Sequence, residues 1–550
     1  MKQDLFSSFK HSFEIDTLTN SQNKGVTTLI HKGKDLPKDN LAHFRPITVT
    51  NTDYKIMAKV IAERLKKILP KIISESQVGF IKGRNIAQAI RAINDIIEYH
   101  ETNMIEGYLL AIDFQKCFDS VSHEYLKFAM KKFGFKENLI KLVMLITNNG
   151  ESCINNGGWI TNFYKLEQGL KQGCPNSPLS YLLVAELLSL KIKQTRNIEG
   201  IQIRSIDFTI KLLQYADDTT FFVKNIIDYR EILSKIKEFA LVSGLHINEN
   251  KTMLMPLSTS TPQLVKNDNI QQVNLVKILG IYFGTGKNAG SISKNWTGIK
   301  ESIQRQITSW SKRNLSIKGK IIVTKTFFIS QAIYKIQSIS LPEQIINELN
   351  TILFSFIWRK NISNEKAHEP LKRHILCLEE EKGGLKMINI KNMRDSFFIN
   401  WAITLLNNPT SYYMKLPNYF LQSSKGLEYL RINPQKIQPM NIKSFFWKKV
   451  FDIFHEHKNR RSQDTSNQYL WRNQNIMYKS KDFMITKWIQ CGIKFTKDLL
   501  IGEHFVQFEE LANRVGKYPA FIFDYYAMKI AVTSYLKNNV VNLNIKTTFK

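Results

Sequence analysis

Cysteine is scarce and scattered in this chain of 550 residues: Cys117, Cys153, Cys174, Cys377 and Cys491, with no C-x-x-C pair among them. An odd number without close spacing argues against a disulfide framework and against a zinc knuckle, and it fits a reducing compartment inside the cell. The first residues, MKQDLFSSFKHSFEID, lack the apolar core of a signal peptide. The longest apolar run, Leu179 to Ile192, is broken by Glu186 and is too short to cross a bilayer. A soluble protein is expected, cytoplasmic, nuclear or both, with no membrane partner. No internal repeat or low-complexity tract stands out. Acid is the other shortage, and it is uneven. Residues 1–250 carry 33 basic and 27 acidic side chains, whereas residues 251–550 carry 44 and 20. A net charge of +30 suits a polyanion, and the second part has the balance of a basic clamp.

An apolar fraction of 43% is enough to fill real cores, and the length suggests two to four domains. Residues 1–106 combine short strands such as VTTLI (26–30) with a helical pattern from Tyr54 to Leu69, which Pro70 is expected to end. From 107 the pattern predicts strand, helix, loop, helix, hairpin, helix and a short strand pair ending near Gly284. The stretch 255–270 reads as a loop, and GTGKNAGSIS (284–293) as a linker. Beyond it the chain reads as helical, with Trp310, Phe327, Tyr334, Phe354, Phe356 and Trp358 at core spacing.

Two places carry acid where acid is costly. GYLLAIDFQKCFDS (107–120) runs an apolar strand into Asp113 and then a helix starting near Ser122. IKLLQYADDTTFFV (210–223) sets Asp217 and Asp218 between two apolar strands. Adjacent carboxylates at the tip of a buried hairpin repel unless a cation neutralises them. Magnesium takes oxygen ligands and is usually held by one or two carboxylates plus substrate phosphates. Two such ions about 3.5–4 Å apart can activate a hydroxyl and stabilise a leaving pyrophosphate. Each acidic signal alone is weak; their order and combination carry the inference.

YADD (215–218) resembles the [FY]-x-D-D signature of reverse transcriptases, and the surrounding blocks fall in the order of LINE-type (non-LTR) retrotransposon enzymes. FRPITVTNTDYKIMAKVIAERL (44–65) resembles their fingers block and SQVGFIKGRN (76–85) the block after it. DFQKCFDSV (113–121) is similar to the first aspartate motif, QGCPNSPLS (172–180) to the template-and-nucleotide motif, GLHINENKT (244–252) to the lysine motif and LGIYFG (279–284) to the primer grip. Segments 309–334, 356–360 and 379–390 are similar to thumb and downstream regions of L1-like reading frames. The resemblance implies an α+β right-hand polymerase fold. Its parts are an N-terminal extension and fingers over 1–106, palm over 107–286, a helical thumb and connection over 287–400, and a basic helical region over 401–550.

The same resemblance implies an RNA-directed DNA polymerase using two Mg2+ ions, or Mn2+, with an RNA template, a DNA primer or nicked DNA target, and deoxynucleoside triphosphates. Asp113 and Asp217 would be the principal metal ligands, Asp218 would lie near the primer end, and the Phe114 carbonyl would complete one shell. Phe118 would be the gate that excludes a ribose 2′-hydroxyl. Gln172 and Gly173 would line the nucleotide pocket, Arg45 would contact the triphosphate, and Lys251 would protonate the leaving pyrophosphate. Arg84 would reach a template or nucleotide phosphate. Cys117 stands where the family usually has Ala, and Asn176 where Leu is common. The endonuclease and Cys/His knuckle usual in such elements are absent, so a truncated element is expected. The competing readings are a group II intron-like maturase, a viral RNA-dependent RNA polymerase, and an inactive nucleic-acid-binding remnant. Phe at 118 and YADD in place of GDD argue against the viral one.

Overall fold

The computed structural model describes residues 2–33, 36–262, 271–286, 290–358, 369–422, 442–458, 468–471, 473, 476–502 and 504–547. Residues 263–270 of the expected loop, 287–289 of the expected linker, 359–360 of the FIWRK segment and 459–461 of the basic cluster HKNRR lie outside them. The chain divides into two compact units, 1–303 and 304–550.

In the first unit, β1 (Lys24–His31) and β2 (Phe44–Thr50) form an antiparallel pair. The strand β3 (Tyr108–Ile112) follows two long helices, Thr52–Ile72 and Ile86–Asn103. Next come β4 (Glu151–Asn156), β5 (Trp159–Ile160), β6 (Tyr164–Lys165), the hairpin β7 (Ile201–Ile203) and β8 (Phe208–Ile210), then β9 (Leu212–Tyr215) and β10 (Asp218–Val223). The last are β11 (Met253–Pro256), β12 (Gln271–Gln272), β13 (Leu275–Ile278) and β14 (Ile281–Gly284).

Among the described residues these strands make two main sheets. One runs β2-β1-β4-β5, with β6 also on β4, and β4 lies parallel to β1. Its strands are tied on one face by the Thr27 hydroxyl, which reaches those of Thr48 (2.9 Å) and Ser152 (2.7 Å). Strands from residues 151–165 therefore complete a sheet begun at residue 24, across the boundary expected at 106/107. The second sheet runs β12-β11-β3-β10-β9. Its central strand, YLLAI, is apolar throughout because both faces are covered; Leu109 and Leu110 are fully buried. Beside it the helix Ser177–Gln194 is buried almost all round, including Leu182, Leu183 and Val184.

The helix expected to end before Pro70 instead runs Thr52–Ile72 with Pro70 inside its last turn. A proline there removes one backbone donor, and the Ile73 N–H still closes the end on the Leu69 carbonyl (2.9 Å). The helix expected near Ser122 is His123–Lys132, capped by the Ser122 hydroxyl accepting from the Tyr125 N–H (3.2 Å).

The second unit is mainly helical, and the fold class expected from the sequence, α+β with a helical second part, is the one found. Its long helices include Glu343–Trp358, Ile390–Asn407, Phe445–Lys458 and Phe521–Thr547. Phe354 and Phe356 are core, as their spacing predicts, whereas Phe327 is 44% exposed and packs on Trp310 at 5.0 Å. Towards its C-terminal end Trp471, Trp488, Phe521 and Tyr525 close a separate small core.

Candidate active site

Asp113 stands immediately after β3, and Asp217 occupies the turn between β9 and β10, with Asp218 the first residue of β10. β10 pairs antiparallel with both β3 (Thr219↔Ile112) and β9 (Asp218↔Tyr215), so sheet register alone brings the three acids to one end of the sheet. Their charges feel one another. Burial, and then the charge of Asp113, raises the Asp217 carboxyl. Asp218 is raised to about 6 by burial, then by Asp217 and Asp113, although its side chain as a whole is exposed. The donors here are all oxygen, two of them carboxylates driven towards protonation, which fits a hard divalent cation.

The acids are nonetheless less tightly drawn together than the sequence led us to expect. Among the described residues no three His, Cys, Asp or Glu side chains form a group that could hold a metal ion. Magnesium sites typically draw further ligands from water and substrate phosphate.

The loop Leu245–Lys251 folds back beside Asp113. Gln115 donates its N–H to the His246 carbonyl (2.8 Å), and the Asn248 N–H donates to the Asp113 carbonyl (2.7 Å). This places the Lys251 ammonium 3.6 Å from Asp113 Oδ2, both side chains being largely exposed. Across from them, Lys32 follows β1 and donates to the Ala42 carbonyl (2.8 Å). Burial lowers the Lys32 ammonium, as do the charges of Lys251 and Arg45, while Asp113 and Asp119 oppose the shift. Arg45, exposed on β2, and Lys251 thus lie near enough for their charges to act on Lys32, and the Arg45 charge also lowers the Asp217 carboxyl. Sequence reasoning passed over Lys32. Its signal was a lysine one residue beyond a strand whose partner carries Arg45 (Ile30↔Arg45).

The Phe118 ring is half-buried and stacks on the fully buried Tyr181 at 5.0 Å, and its carbonyl accepts from the Leu170 N–H (2.6 Å). Cys117 is buried, its thiol donates to the Phe114 carbonyl (3.3 Å), and burial together with Asp217 and Asp113 pushes the thiol up. Gln172 donates its amide to both oxygens of Asp119 (3.1 and 3.2 Å), a second acid that sequence reasoning missed although it lies in the same motif as Phe118. Burial raises the Asp119 carboxyl, against the Gln172 hydrogen bond and the charges of Lys116 and Lys32. Asn176 is buried and donates to the Ser180 hydroxyl (2.8 Å) at the start of the helix Ser177–Gln194.

Two of the expected nucleotide-site residues have close neighbours within the chain. The close backbone approach that Gly173 permits is made by β2: with φ at +119°, an added Cβ would lie 2.5 Å from the Thr48 carbonyl oxygen. The Arg84 guanidinium is bound to backbone carbonyls of Ile73 (2.9 Å), Ser74 (2.5 Å) and Gln77 (2.5 Å). These bonds fasten the loop that carries Gln77.

The arrangement gathers three carboxylates at one end of an antiparallel sheet, with the Lys251 ammonium beside one of them. The family described as reverse transcriptase (RNA-dependent DNA polymerase) matches residues 36–283, and this span is a reverse transcriptase domain. The chain is 24% identical over 388 residues to the Transposon TX1 uncharacterized 149 kDa protein of Xenopus laevis, covering 69% of this chain and 29% of that protein. It is 21% identical over 346 residues to the Retrovirus-related Pol polyprotein from type-1 retrotransposable element R2 of Popillia japonica, covering 60% and 47%. These relatives agree with the LINE-type resemblance read from the motifs. The chain spans less than half the length of either relative. Among solved structures, a telomerase from Candida albicans with a fragment of telomeric RNA aligns over 74% of this chain and 67% of its own at 11% identity and a TM-score of 0.36.

Proposed function

We propose that this chain is an RNA-directed DNA polymerase that extends a primer 3′-hydroxyl along an RNA template with deoxynucleoside triphosphates. The observation that carries this reading is the placement of Asp113, Asp217 and Asp218 at one end of a sheet inside the matched domain, with Lys251 beside Asp113 and the charges of Lys32 and Arg45 within reach. In the reaction the primer 3′-hydroxyl gives up its proton to solvent as its oxygen forms a bond to the α-phosphorus. The bridging bond to the β-phosphate breaks, and its electron pair leaves on pyrophosphate.

Asp113 and Asp217, with the Phe114 carbonyl, would hold two divalent ions, Mg2+ or Mn2+, which supply Lewis acidity at the α-phosphate. Lys32 and Arg45 face the charge of the triphosphate; guanidinium matches phosphate in two-point contact. Lys251 gives a proton to the departing pyrophosphate. The Phe118 ring, braced by Tyr181, excludes a 2′-hydroxyl and selects deoxynucleotides. Asp119 holds the Gln172 amide against the nucleotide pocket. Among the described residues no helix is long and apolar enough to cross a membrane, and we place the activity inside the cell.

Primer extension on poly(rA)/oligo(dT) with Mg2+ tests the reading: the folded chain should add deoxythymidylate along the template. A folded protein that binds this duplex and adds nothing, with either Mg2+ or Mn2+, would refute it.

A further inference from the structure

The turn that presents Asp217 has a backbone its sequence does not favour. Ala216 has φ at +56°, where a Cβ crowds the carbonyl that follows and glycine is the usual occupant. Something must hold it there, and a residue far away in sequence does so. Gln77 is 1% exposed, and its amide grips both backbone groups of Ala216. Its Oε1 accepts from the Ala216 N–H (2.9 Å) and also from the Gly79 N–H (2.9 Å), while its Nε2 donates to the Ala216 carbonyl (3.3 Å).

The grip is supported from behind. The segment carrying Gln77 lies along β9, where the Val78 N–H donates to the Gln214 carbonyl and the Gln214 N–H to the Ser76 carbonyl, both at 2.8 Å. Gly79 lets the segment close on the turn, since an added Cβ would lie 2.5 Å from the Ala216 nitrogen. Arg84 ties the same segment down through the carbonyls of Ile73, Ser74 and Gln77. The buried Glu186, on the helix Ser177–Gln194, accepts from the Ser74 hydroxyl.

We propose that Gln77 is a positioning residue: it fixes Ala216 in the left-handed conformation and so sets the direction of the Asp217 and Asp218 carboxylates. This rests on the polymerase reading above. Gln77 touches neither substrate nor metal, and a glutamine that merely satisfied a buried loop would contribute to stability alone.

The full-length chain carrying Gln77→Met, which keeps the volume and removes all three hydrogen bonds, separates the two roles. Hydrogen exchange of the peptide spanning 212–219 should quicken, because the turn opens locally. Turnover at saturating nucleotide should fall by about 10–100-fold, the usual cost of losing a partner that orients a metal ligand. The KM for nucleotide should stay within about twofold, since the nucleotide-facing residues are untouched. Mn2+ affinity of the substrate-free protein, read by electron paramagnetic resonance, should weaken by about tenfold.

In an Ala216→Gly background these losses should shrink several-fold, because glycine holds the conformation without a clamp. Should Gln77→Met fail to fold, Gln77→Asn, which keeps the amide and shortens its reach, should show the same pattern. Unchanged exchange, turnover and Mn2+ affinity in a folded variant would overturn the proposal. So would losses of equal size with and without the Ala216→Gly change. A wild-type chain that neither binds Mn2+ nor extends a primer would remove the polymerase reading and the positioning role with it, while the exchange result still reports the clamp.

Discussion

Clustered charge is handled in opposite ways at one site in each of the two compact units. In the second, Arg394 is 1% exposed and is met by Asp395 (2.7 Å) and Glu343 (2.7 Å), so the charge is matched where it is buried. In the first, Asp217 and Asp218 share a turn beside Asp113, and each addition of negative charge raises its neighbours. Removing one partner from a matched buried pair weakens the fold, because the survivor is left uncompensated. A cluster of like charge does the reverse: it costs stability by itself and persists where a ligand compensates it. The first unit repeats the matched pattern away from the site, where buried Arg91 meets Asp95 (2.8 Å). The distinction therefore follows the role of the residues and not the region of the chain.

Asp217→Asn should break this comparison hardest. It deprives the metals of a ligand while removing one of three repelling charges. Primer extension should fall by at least on the order of 10²-fold, with the melting temperature of the metal-free protein unchanged or raised and template binding kept. Activity within tenfold of wild type would mean that Asp217 holds no metal.

Asp395→Asn should do the opposite. Leaving Arg394 without its buried carboxylate should cost about 3 kcal/mol of stability, seen as a lower denaturation midpoint. Turnover per folded molecule should not change. A variant as stable as wild type would show that Glu343 alone satisfies the guanidinium.

A pH series sharpens the same contrast. The Asp218 carboxyl is raised to about 6, above its ordinary 3.8. Because the folded value is the higher one, the ionised group opposes folding above pH 6, and that opposition is relieved as the pH falls towards 4. A bound divalent cation removes it directly. The gain in melting temperature on adding Mg2+ should therefore be largest above pH 7 and shrink as the pH falls through 6, where protons compete for the site. A Mg2+ effect independent of pH between 5 and 8 would place the ion elsewhere.

What could be read from the sequence divides along similar lines. The Asp113, Asp217 and Asp218 positions were legible because acids at the ends of apolar strands break the hydrophobic pattern, and because the motif residues lie within short windows. The central strand YLLAI and the capped helix after Ser122 were legible for the same local reason. Gln77, Lys32 and Asp119 were not. Their partners are Ala216, Arg45 and Gln172, and in two of the three cases the partner lies more than fifty residues away, so no local window contains the pair. The three carbonyls that Arg84 fastens were not legible either, because an arginine near a phosphate-binding motif and an arginine bound to a loop have the same sequence signature. The parallel pairing of β4 with β1 was hidden by distance as well. In the helical unit the class of structure was legible from spacing, but the matched pair at Arg394 lies within a pattern that reads only as an ordinary charged helix.

The smallest expected effect concerns the basic excess of the second half. We propose that it holds nucleic acid through backbone phosphates, and KSFFWKK (443–449) gives an accessible test within the described residues. On the helix Phe445–Lys458 the apolar Phe446, Trp447 and Val450 are buried, which leaves Lys448 in solvent beside the 76% exposed Phe445. Part of this charge is already answered: Lys449 lies 3.7 Å from Glu343, and Lys448 and Lys449 draw down the Asp452 carboxyl against the burial that raises it. Changing Lys443, Lys448 and Lys449 to Gln in the full chain should thus remove fewer than three effective phosphate contacts. Each contact contributes about 0.9 to the slope of log affinity against log salt, so the slope should flatten by roughly 1–2. Affinity should fall to a similar degree on templates of unrelated sequence, since phosphate contacts carry no base information. Turnover at saturating template should stay near wild type, because these residues lie outside the domain that bears the carboxylates. Template titrations at several salt concentrations read all three quantities. Equal slopes for wild type and variant would leave these lysines a role only in keeping an aromatic-rich helix soluble, and the contrast between the units would then rest on the carboxylates alone.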